Sequence, residues 1–560
     1  MKYTDKQVFE IGLPGARDAG SADDMGFKAF NLARMAHIGL KVPEAFVLGT
    51  TICRDYLRHP ARSQAALHDL LVEMLRRLEA ASRLAIGGAR KPLLVSVRSG
   101  APVSMPGMMD TVLNVGLCDA TLHGLIRLTG NPRLAWDSYR RLVQQFAEVV
   151  HGADAAPFRA ALETALREAK VDNARELDFR QLAQLTREFL AIFHEATGHA
   201  FPQDPMEQVE AAIAAVFASW RSARAVEYRR LNGLPDTLGT AVTVQRMVFG
   251  NAGGTSGSGV AFSRDPANGD NHLYVDFLFN CQGEDIVSGR FAAGDAERLQ
   301  AALPDVWARL ENVRGLLEAE FRDAQEFEFT VQDGELFLLQ TRCGKRTPWA
   351  ALRIAVDHVN EGLITPEQAL RRIEGIDLEN LERRRTTGES KTEVLGHGIP
   401  AGIGLAGGSI ALDVGAARRL ADEGRTPLLV REDPLTADIA GLAVSTGLLT
   451  QRGGRTAHAA VVARQMGKPC LVGCSALAID LAARSIALGG RTLHEGDVLW
   501  IDAGAGHVLA SEPAVVIEKP LDALAAIDSW QHHAASSAGP EGASRNATAR
   551  SGAPDAAAMQ

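Results

Sequence analysis

No stretch of this sequence holds the roughly 18 consecutive apolar residues that a membrane-crossing helix needs, so no membrane partner is expected. No apolar core follows the opening segment Met1–Gln7, so a secretory signal is not expected either. Basic charge is in short supply. Lys and Arg number 59 against 68 Asp and Glu, the net charge is −9, and no Lys/Arg stripe occurs, which argues against a nucleic-acid surface. Cysteine is sparse and scattered. Of the six, only Cys470 and Cys474 are near neighbours, and their spacing fits no common zinc pattern. All six read as reduced packing residues in a cytoplasmic protein. What is present is ordinary for a soluble globular chain: 46% hydrophobic and 23% charged residues over 560 positions, enough for three or four domains with large cores.

The densest chemistry lies in Gly453-Gly-Arg-Thr-Ala-His-Ala-Ala-Val-Val-Ala-Arg-Gln-Met-Gly467. The two leading glycines free the backbone for a tight turn. Ala459 to Met466 reads as a short helix, with Gly467 as its C-terminal stop. His458 therefore falls at a first turn, where backbone N–H groups lack partners and the helix dipole is positive. A phosphoryl group on that imidazole would meet ready donors, with Arg455 and Thr456 beside it. A lone histidine in such a place more often packs or caps; the flanking run decides otherwise.

Four other segments carry candidate ligands. Lys28 precedes a helix that runs through Met35 and ends at Gly39. Arg98 ends a buried-strand pattern, Leu93 to Val97, and a loop rich in Pro and Gly follows it; a guanidinium there can grip phosphate in bidentate fashion. Thr240 to Phe249 and Val260 to Ser263 read as strands flanking the glycine-rich run Gly250 to Gly259. That arrangement suits a flap whose N–H groups close over phosphates, and it is neither a Walker A motif nor a dinucleotide fingerprint. In the alternating run Glu326 to Val331, Glu326 and Glu328 point to one face, where two carboxylates repel unless a cation sits between them; that suits magnesium. Asp333-Gly334 makes a hairpin turn, and the return strand brings Gln340 and Arg342 to the same end.

These segments resemble pyruvate, phosphate dikinase and phosphoenolpyruvate synthase. In that family a Gly-Gly-x-Thr-x-His-Ala-Ala-x-x-Ala-Arg run carries the phosphorylated histidine, and every fixed position is present here. The resemblance implies that His458 is phosphorylated from ATP and passes the group on. It implies that Lys28 and Arg98 act on nucleotide phosphates as catalytic and binding residues. It further implies a nucleotide-binding role for Arg140 or Arg141, for Thr255, Ser256, Gly257 and Gly259, and for Glu326, Glu328, Gln340 and Arg342. Of these, Glu326, Glu328 and Gln340 are the candidate Mg2+ ligands. The family carries aspartate where Glu326 stands, and glycines where Phe27 and Ala29 stand. Thr456 matches a regulatory phosphorylation position of some dikinases.

The fold expected is a mixed α/β and α+β multidomain chain. An ATP-grasp-type nucleotide-binding region spans 1–345, with a helical insertion at about 119–230. A helical linker at 346–395 includes an exposed hinge from Arg383 to Gly388. A swivelling β/α phosphohistidine domain covers 396–515, and a short helix and disordered tail cover 516–560. The roughly 250-residue barrel that binds phosphoenolpyruvate and pyruvate in the family has no counterpart in these 560 residues. The function expected is AMP-forming, ATP-dependent phosphorylation of His458, with inorganic phosphate as a further substrate and pyruvate on a separate barrel protein as acceptor. Two alternatives stand beside it: a different small-molecule acceptor, and a non-catalytic nucleotide sensor.

Overall fold

The structure is a computed structural model; it describes residues 3, 6–16, 20–103, 105, 108–287, 296–387, 392–433, 438–455 and 457–537. The chain forms two compact units. The first comprises residues 1–256 and 330–341, the second residues 257–329 and 342–560. Among the described residues no helix is long and apolar enough to cross a membrane.

The first unit is built on an antiparallel sheet of β1 (Val8–Ile11), β2 (Ala45–Leu48), β3 (Val95–Gly100), β4 (Thr111–Val115) and β5 (Ala241–Arg246), in the order β1-β2-β5-β3-β4. Between β1 and β2 run α1 (Ala22–Met25) and α2 (Phe27–His37). Between β2 and β3 lie α3 (Thr50–Arg58) and α4 (Pro60–Ser82). Six helices then separate β4 from β5: α5 (Asp119–Thr129), α6 (Pro132–His151), α7 (Ala156–Ala169), α8 (Phe179–Thr197), α9 (Pro205–Ser219) and α10 (Ala223–Leu231). The helical insertion expected at about 119–230 is this group. Its sequence marks the ends well. Asn131, Asp178 and Asp204 cap helix starts through their side chains, and Gly130, Gly152 and Gly198 close helices at positive φ. Phe146, Phe193 and Phe201 meet edge-on or tilted inside the core that these helices share with the sheet.

The second unit opens with β6 (Gly257–Phe262) and β7 (Tyr274–Phe279), antiparallel neighbours in a sheet ordered β7-β6-β8-β9. The helices α11 (Gly283–Val287), α12 (Ala296–Ala302) and α13 (Pro304–Phe321) precede β8 (Gln325–Gln332) and β9 (Glu335–Cys343), of which the stretch Thr330–Thr341 belongs to the first unit. The β8–β9 turn is the expected Asp333-Gly334, with both residues at positive φ. After α14 (Pro348–Asn360) and α15 (Pro366–Arg372), strand β10 (Arg383–Thr386) leads toward an eight-stranded sheet.

That sheet contains β11 (Val394–His397), β12 (Ile399–Pro400), β13 (Leu405–Ala411), β14 (Pro427–Arg431), β15 (Leu448–Thr450) and β16 (Cys470–Val472). The strands β13, β14, β15 and β16 are parallel, joined through α16 (Val414–Asp422), α17 (Ile439–Val444) and α18 (His458–Gln465). A meander of β17 (Ala478–Asp480), β18 (Ser485–Leu488) and β19 (Arg491–His494) follows. Strands β20 (Val498–Asp502) and β21 (His507–Leu509) complete the eight, in the order β11-β21-β20-β13-β14-β15-β16-β12. Strand β22 (Val515–Glu518) and α19 (Leu521–Ser537) end the described chain. Apolar strand residues fill clusters on both faces, as a parallel sheet covered by crossover helices requires.

Three expectations change here. The boundary expected after residue 345 lies inside the second unit. Thr347 N–H bonds the Pro266 carbonyl at 3.0 Å, and the buried Arg264 bonds Glu318 on α13 and Glu361 just past α14. The segment 346–372 is thus packed, with Trp349, Leu352, Ile364 and Ala369 in a core that also takes Ile527 of α19. The exposed hinge expected from Arg383 is strand β10, antiparallel to β22. Arg383 and Arg385, two residues apart, share one strand face, and both bond Glu518. Gly388 lies outside the described residues, as does the tail beyond 537.

Candidate functional site

In the first unit the two candidate phosphate cations are set by one close backbone approach. Gly26 sits between α1 and α2 at φ 77° and ψ 149°, a region essentially closed to other residues. An added Cβ there would strike the Gly100 carbonyl oxygen at the end of β3. Beside it, Phe27 N–H bonds the Ala101 carbonyl at 2.9 Å. These contacts place the start of α2, with exposed Lys28 on its first turn, against the end of the strand bearing Arg98. The substituted positions are accounted for locally: Ala29 is buried under the helix, and Phe30 lies beneath the Arg34 guanidinium. Arg98 is half-buried, opposite Thr243 and Thr111, and among the described residues it has no hydrogen-bond or ion-pair partner. Buried Asn31 donates to the Thr341 carbonyl at 3.2 Å, tying α2 to the part of β9 that carries half-buried Gln340.

Arg140 and Arg141 have a counterion on their own helix. Both turn onto Asp137 on the same helix, at 2.5 and 2.9 Å, and Arg140 is 4% exposed. Burial alone would raise the Asp137 carboxyl, but the two guanidiniums outweigh it and hold it far below the carboxylate range. The i,i+3 and i,i+4 spacing on α6 gives all three groups internal partners.

The glycine-rich run divides differently from the expectation. Thr255 and the residues before it form the loop, and strand β6 already starts at Gly257. Thr255 is exposed; its carbonyl accepts Gly334 N–H at 3.0 Å, and the Ser256 hydroxyl accepts Asp333 N–H at 2.9 Å. Gln332 further accepts Phe249 N–H at 2.9 Å. The loop is thus anchored to the hairpin turn, with Gly253 and Gly254 facing open space. Gly257 and Gly259 are buried in β6, where an added Cβ would run into the rings of Phe277 and Phe329. Their lack of a side chain admits the aromatic layer, and both lie in strand β6 instead of the loop.

In the second unit β8 brings Glu326 and Glu328 two residues apart, and Arg342 on β9 reaches Glu326 at 2.5 Å. Burial would lower the Arg342 guanidinium, but Glu326, its hydrogen bond and Glu328 outweigh this and raise it. Glu326 is 5% exposed and Glu328 half-buried. In this structure the cation bonded to Glu326 is Arg342.

His458 is the first residue of α18, as its segment predicts, although its side chain lies outside the described residues; Thr456 also lies outside them. The loop before the helix is fixed from several sides. Arg464, 1% exposed on α18, donates back to the Arg455 carbonyl at 2.9 Å and to the Ala401 carbonyl at 3.0 Å. Arg455 donates to the Pro400 carbonyl at 3.0 Å and to Asp276 at 3.3 Å, and lies over the Tyr274 ring. Asp276 is 1% exposed, and burial pushes its carboxyl upward against the pull of Arg455 and Arg464. Sequence reasoning assigned no role to Arg464, Asp276 or Tyr274. The Ala-Arg at the end of the histidine run was the one available signal. All six cysteines are free, five of them buried, in line with a packing role.

The geometry defines a class: a mixed α/β multidomain protein with paired carboxylates on a hairpin and a histidine opening a helix of a β/α domain. Two family models match the chain. That of the pyruvate phosphate dikinase AMP/ATP-binding domain covers residues 62–302, and that of the mobile domain of phosphoenolpyruvate-utilising enzymes covers residues 425–506. Pyruvate, phosphate dikinase of Rhizobium meliloti is 41% identical over 522 residues, covering 90% of this chain and 58% of the relative. That of Clostridium symbiosum is 41% identical over 487 residues, covering 86% and 56%. The chloroplastic enzyme of Flaveria pringlei is 39% identical over 532 residues, covering 94% and 55%. The chain is similar to these pyruvate, phosphate dikinases over most of its own length, and it spans a little over half of theirs.

Proposed function

We propose that this chain is an ATP-dependent phosphotransferase of dikinase type that loads His458 from ATP, forms AMP, and delivers the phosphoryl group to an acceptor. The observation that carries the reading is the histidine run itself. Every fixed position of the family pattern is present, and His458 starts a helix whose preceding loop is pinned by Arg464 and Arg455. In this reading the nucleotide region is of ATP-grasp type. Lys28 and Arg98 hold phosphate oxygens in the first unit, and Arg98 has no competing partner among the described residues. Glu326 and Glu328 would hold Mg2+. The donor set fits, because Glu326 already holds a cation in Arg342 and the Glu328 carboxylate adds to the field there. A bound Mg2+ supplies neutralisation of the triphosphate charge. Arg342, displaced from Glu326, is then available to stabilise charge on the transferring group. The neutral imidazole of His458 is the nucleophile, so loading fades as it is protonated at low pH.

The acceptor in this reading is pyruvate bound by a separate barrel protein, with inorganic phosphate taking the remaining phosphoryl group. The location proposed is the cytoplasm. The test is incubation with ATP labelled in the β-phosphate, followed by alkaline gel analysis. Label should appear on the wild-type chain and be absent from His458→Ala. Equal label on both would overturn the assignment.

A further inference from the structure

We propose that the second unit carries an additional binding site, for a small phosphorylated organic compound, in the pocket walled by β10, the turns at 402–404 and 503–505, and Tyr274. The pocket has a volume of about 540 Å³. That is within the range of about 300–1,000 Å³ typical of small-molecule sites, and far more than a bare phosphate ion fills. Its size therefore calls for an organic body, and its charge for an anionic head.

Four arginines, Arg383, Arg384, Arg385 and Arg455, line it against two carboxylates, Asp265 and Asp502. The two aspartates are already engaged. Asp502 accepts from the N–H groups of Gly504 and Ala505 and from the Thr386 hydroxyl. Asp265 accepts from the N–H groups of Ala267 and Asn268. Neither carboxylate is therefore poised to recruit a cation. The arginines are committed unequally. Arg383 and Arg385 share Glu518, and Arg383 also lies over the Trp349 ring. Arg455 spends Nε on Pro400 and Nη1 on Asp276. Arg384, between the two that hold Glu518, is exposed and has no partner among the described residues. An uncommitted guanidinium at the mouth of a cavity is suited to a two-point grip on a phosphoryl group. The neighbouring guanidiniums add positive field, and Tyr274, Ile403 and the small residues 503–505 give the organic body a less polar wall.

This site shares only Arg455 with the loop before His458 and uses none of the residues assigned to ATP or metal, so its test through Arg384 is separate from that of the phosphotransfer reading. The test is isothermal titration of the full chain with fructose 1,6-bisphosphate and 3-phosphoglycerate, with glycerate as the unphosphorylated control. At least one phosphorylated probe should bind saturably. Arg384→Glu should weaken that binding at least about tenfold, as expected for loss of a charge-assisted contact and reversal of its sign, and Arg384→Ala should weaken it less. Arg98→Ala should leave it unchanged. Absence of saturable binding by both phosphorylated probes would overturn the proposal, as would equal binding of glycerate. Binding lost in Arg98→Ala but kept in Arg384→Glu would overturn it too, by moving the probe to the nucleotide region.

Discussion

Replacing Glu326 by Gln removes one charge from the β8 pair while keeping the shape of the side chain. Its carboxylate is 5% exposed and lies 2.5 Å from the Arg342 guanidinium. Two unit charges about 4 Å apart at an effective dielectric near 20 interact by about 4 kcal/mol. The Arg342 side chain is 39% exposed, so solvent screens much of this, and about 1 kcal/mol of net stability is at stake. For a body of this size that is a fall in Tm of about 1–2 °C. The functional effect should be much larger. If Glu326 is a metal ligand in phosphoryl transfer, its loss should cost about 3 kcal/mol of transition-state stabilisation, or about a hundredfold in rate. The assay is the initial rate of β-label incorporation at His458 across a Mg2+ titration, with melting followed in parallel. Glu335→Gln is the control, because Glu335 is an exposed carboxylate on the same hairpin that bonds Lys41. The reasoning fails if Glu326→Gln labels within threefold of wild type at limiting Mg2+, or if Glu335→Gln is equally impaired.

Two further outcomes concern the scaffold. Gly259→Ala should destabilise the protein by about 1–3 kcal/mol, because its Cβ would overlap the Phe329 ring, whereas Gly254→Ala, in open space, should change little; urea midpoints compare the two. Glu318 supplies the pH dependence. Burial would raise its carboxyl, but His358, Arg264 and Ser263 outweigh that and hold it at about 2 against an ordinary 4.5. A depressed carboxyl stabilises the fold above the unfolded value and loses that contribution as pH falls toward the folded one. The stability gap between wild type and Glu318→Gln should therefore shrink by up to about 3 kcal/mol between pH 4.5 and 2, as read by denaturant titrations.

Much of this molecule was legible because its signals are local. The 3.6-residue period of Trp136 to Phe146 announces the helical insertion. Asp333-Gly334 announces the hairpin, and alternation puts Glu326 and Glu328 on one face. What escaped depends on partners distant in sequence. Three consecutive arginines at 383–385 look solvated until Glu518, more than 130 residues later, is seen to bond two of them. Gly257 and Gly259 look like a phosphate flap until Phe277 and Phe329 are seen to occupy the space that side chains would need. Arg140 and Arg141 look like ligands for phosphate, yet their counterion, Asp137, is on the same helical turn.

The strand pairing of β10 with β22 bears directly on how a phosphorylated His458 would travel. A flexible hinge would let the domain diffuse over a wide arc. Here the chain passes beside β22 in β10 before the eight-stranded sheet begins, and after that sheet it returns through β22, with Arg383 and Arg385 both holding Glu518. A two-stranded ribbon twists more readily than it shears, since shear breaks its ladder of backbone bonds and twist does not. In the proposed reading, movement of the histidine domain is a rotation about the ribbon, which limits the positions His458 can reach. Each such position must also leave buried Asp276 a counterion, because Arg455 is the only guanidinium bonded to it among the described residues, and a buried carboxylate stripped of its partner is costly. Rotation away from β7 is thus coupled to the fate of one ion pair, and Asp276, whose carboxyl burial already pushes upward, can meet that cost by taking up a proton.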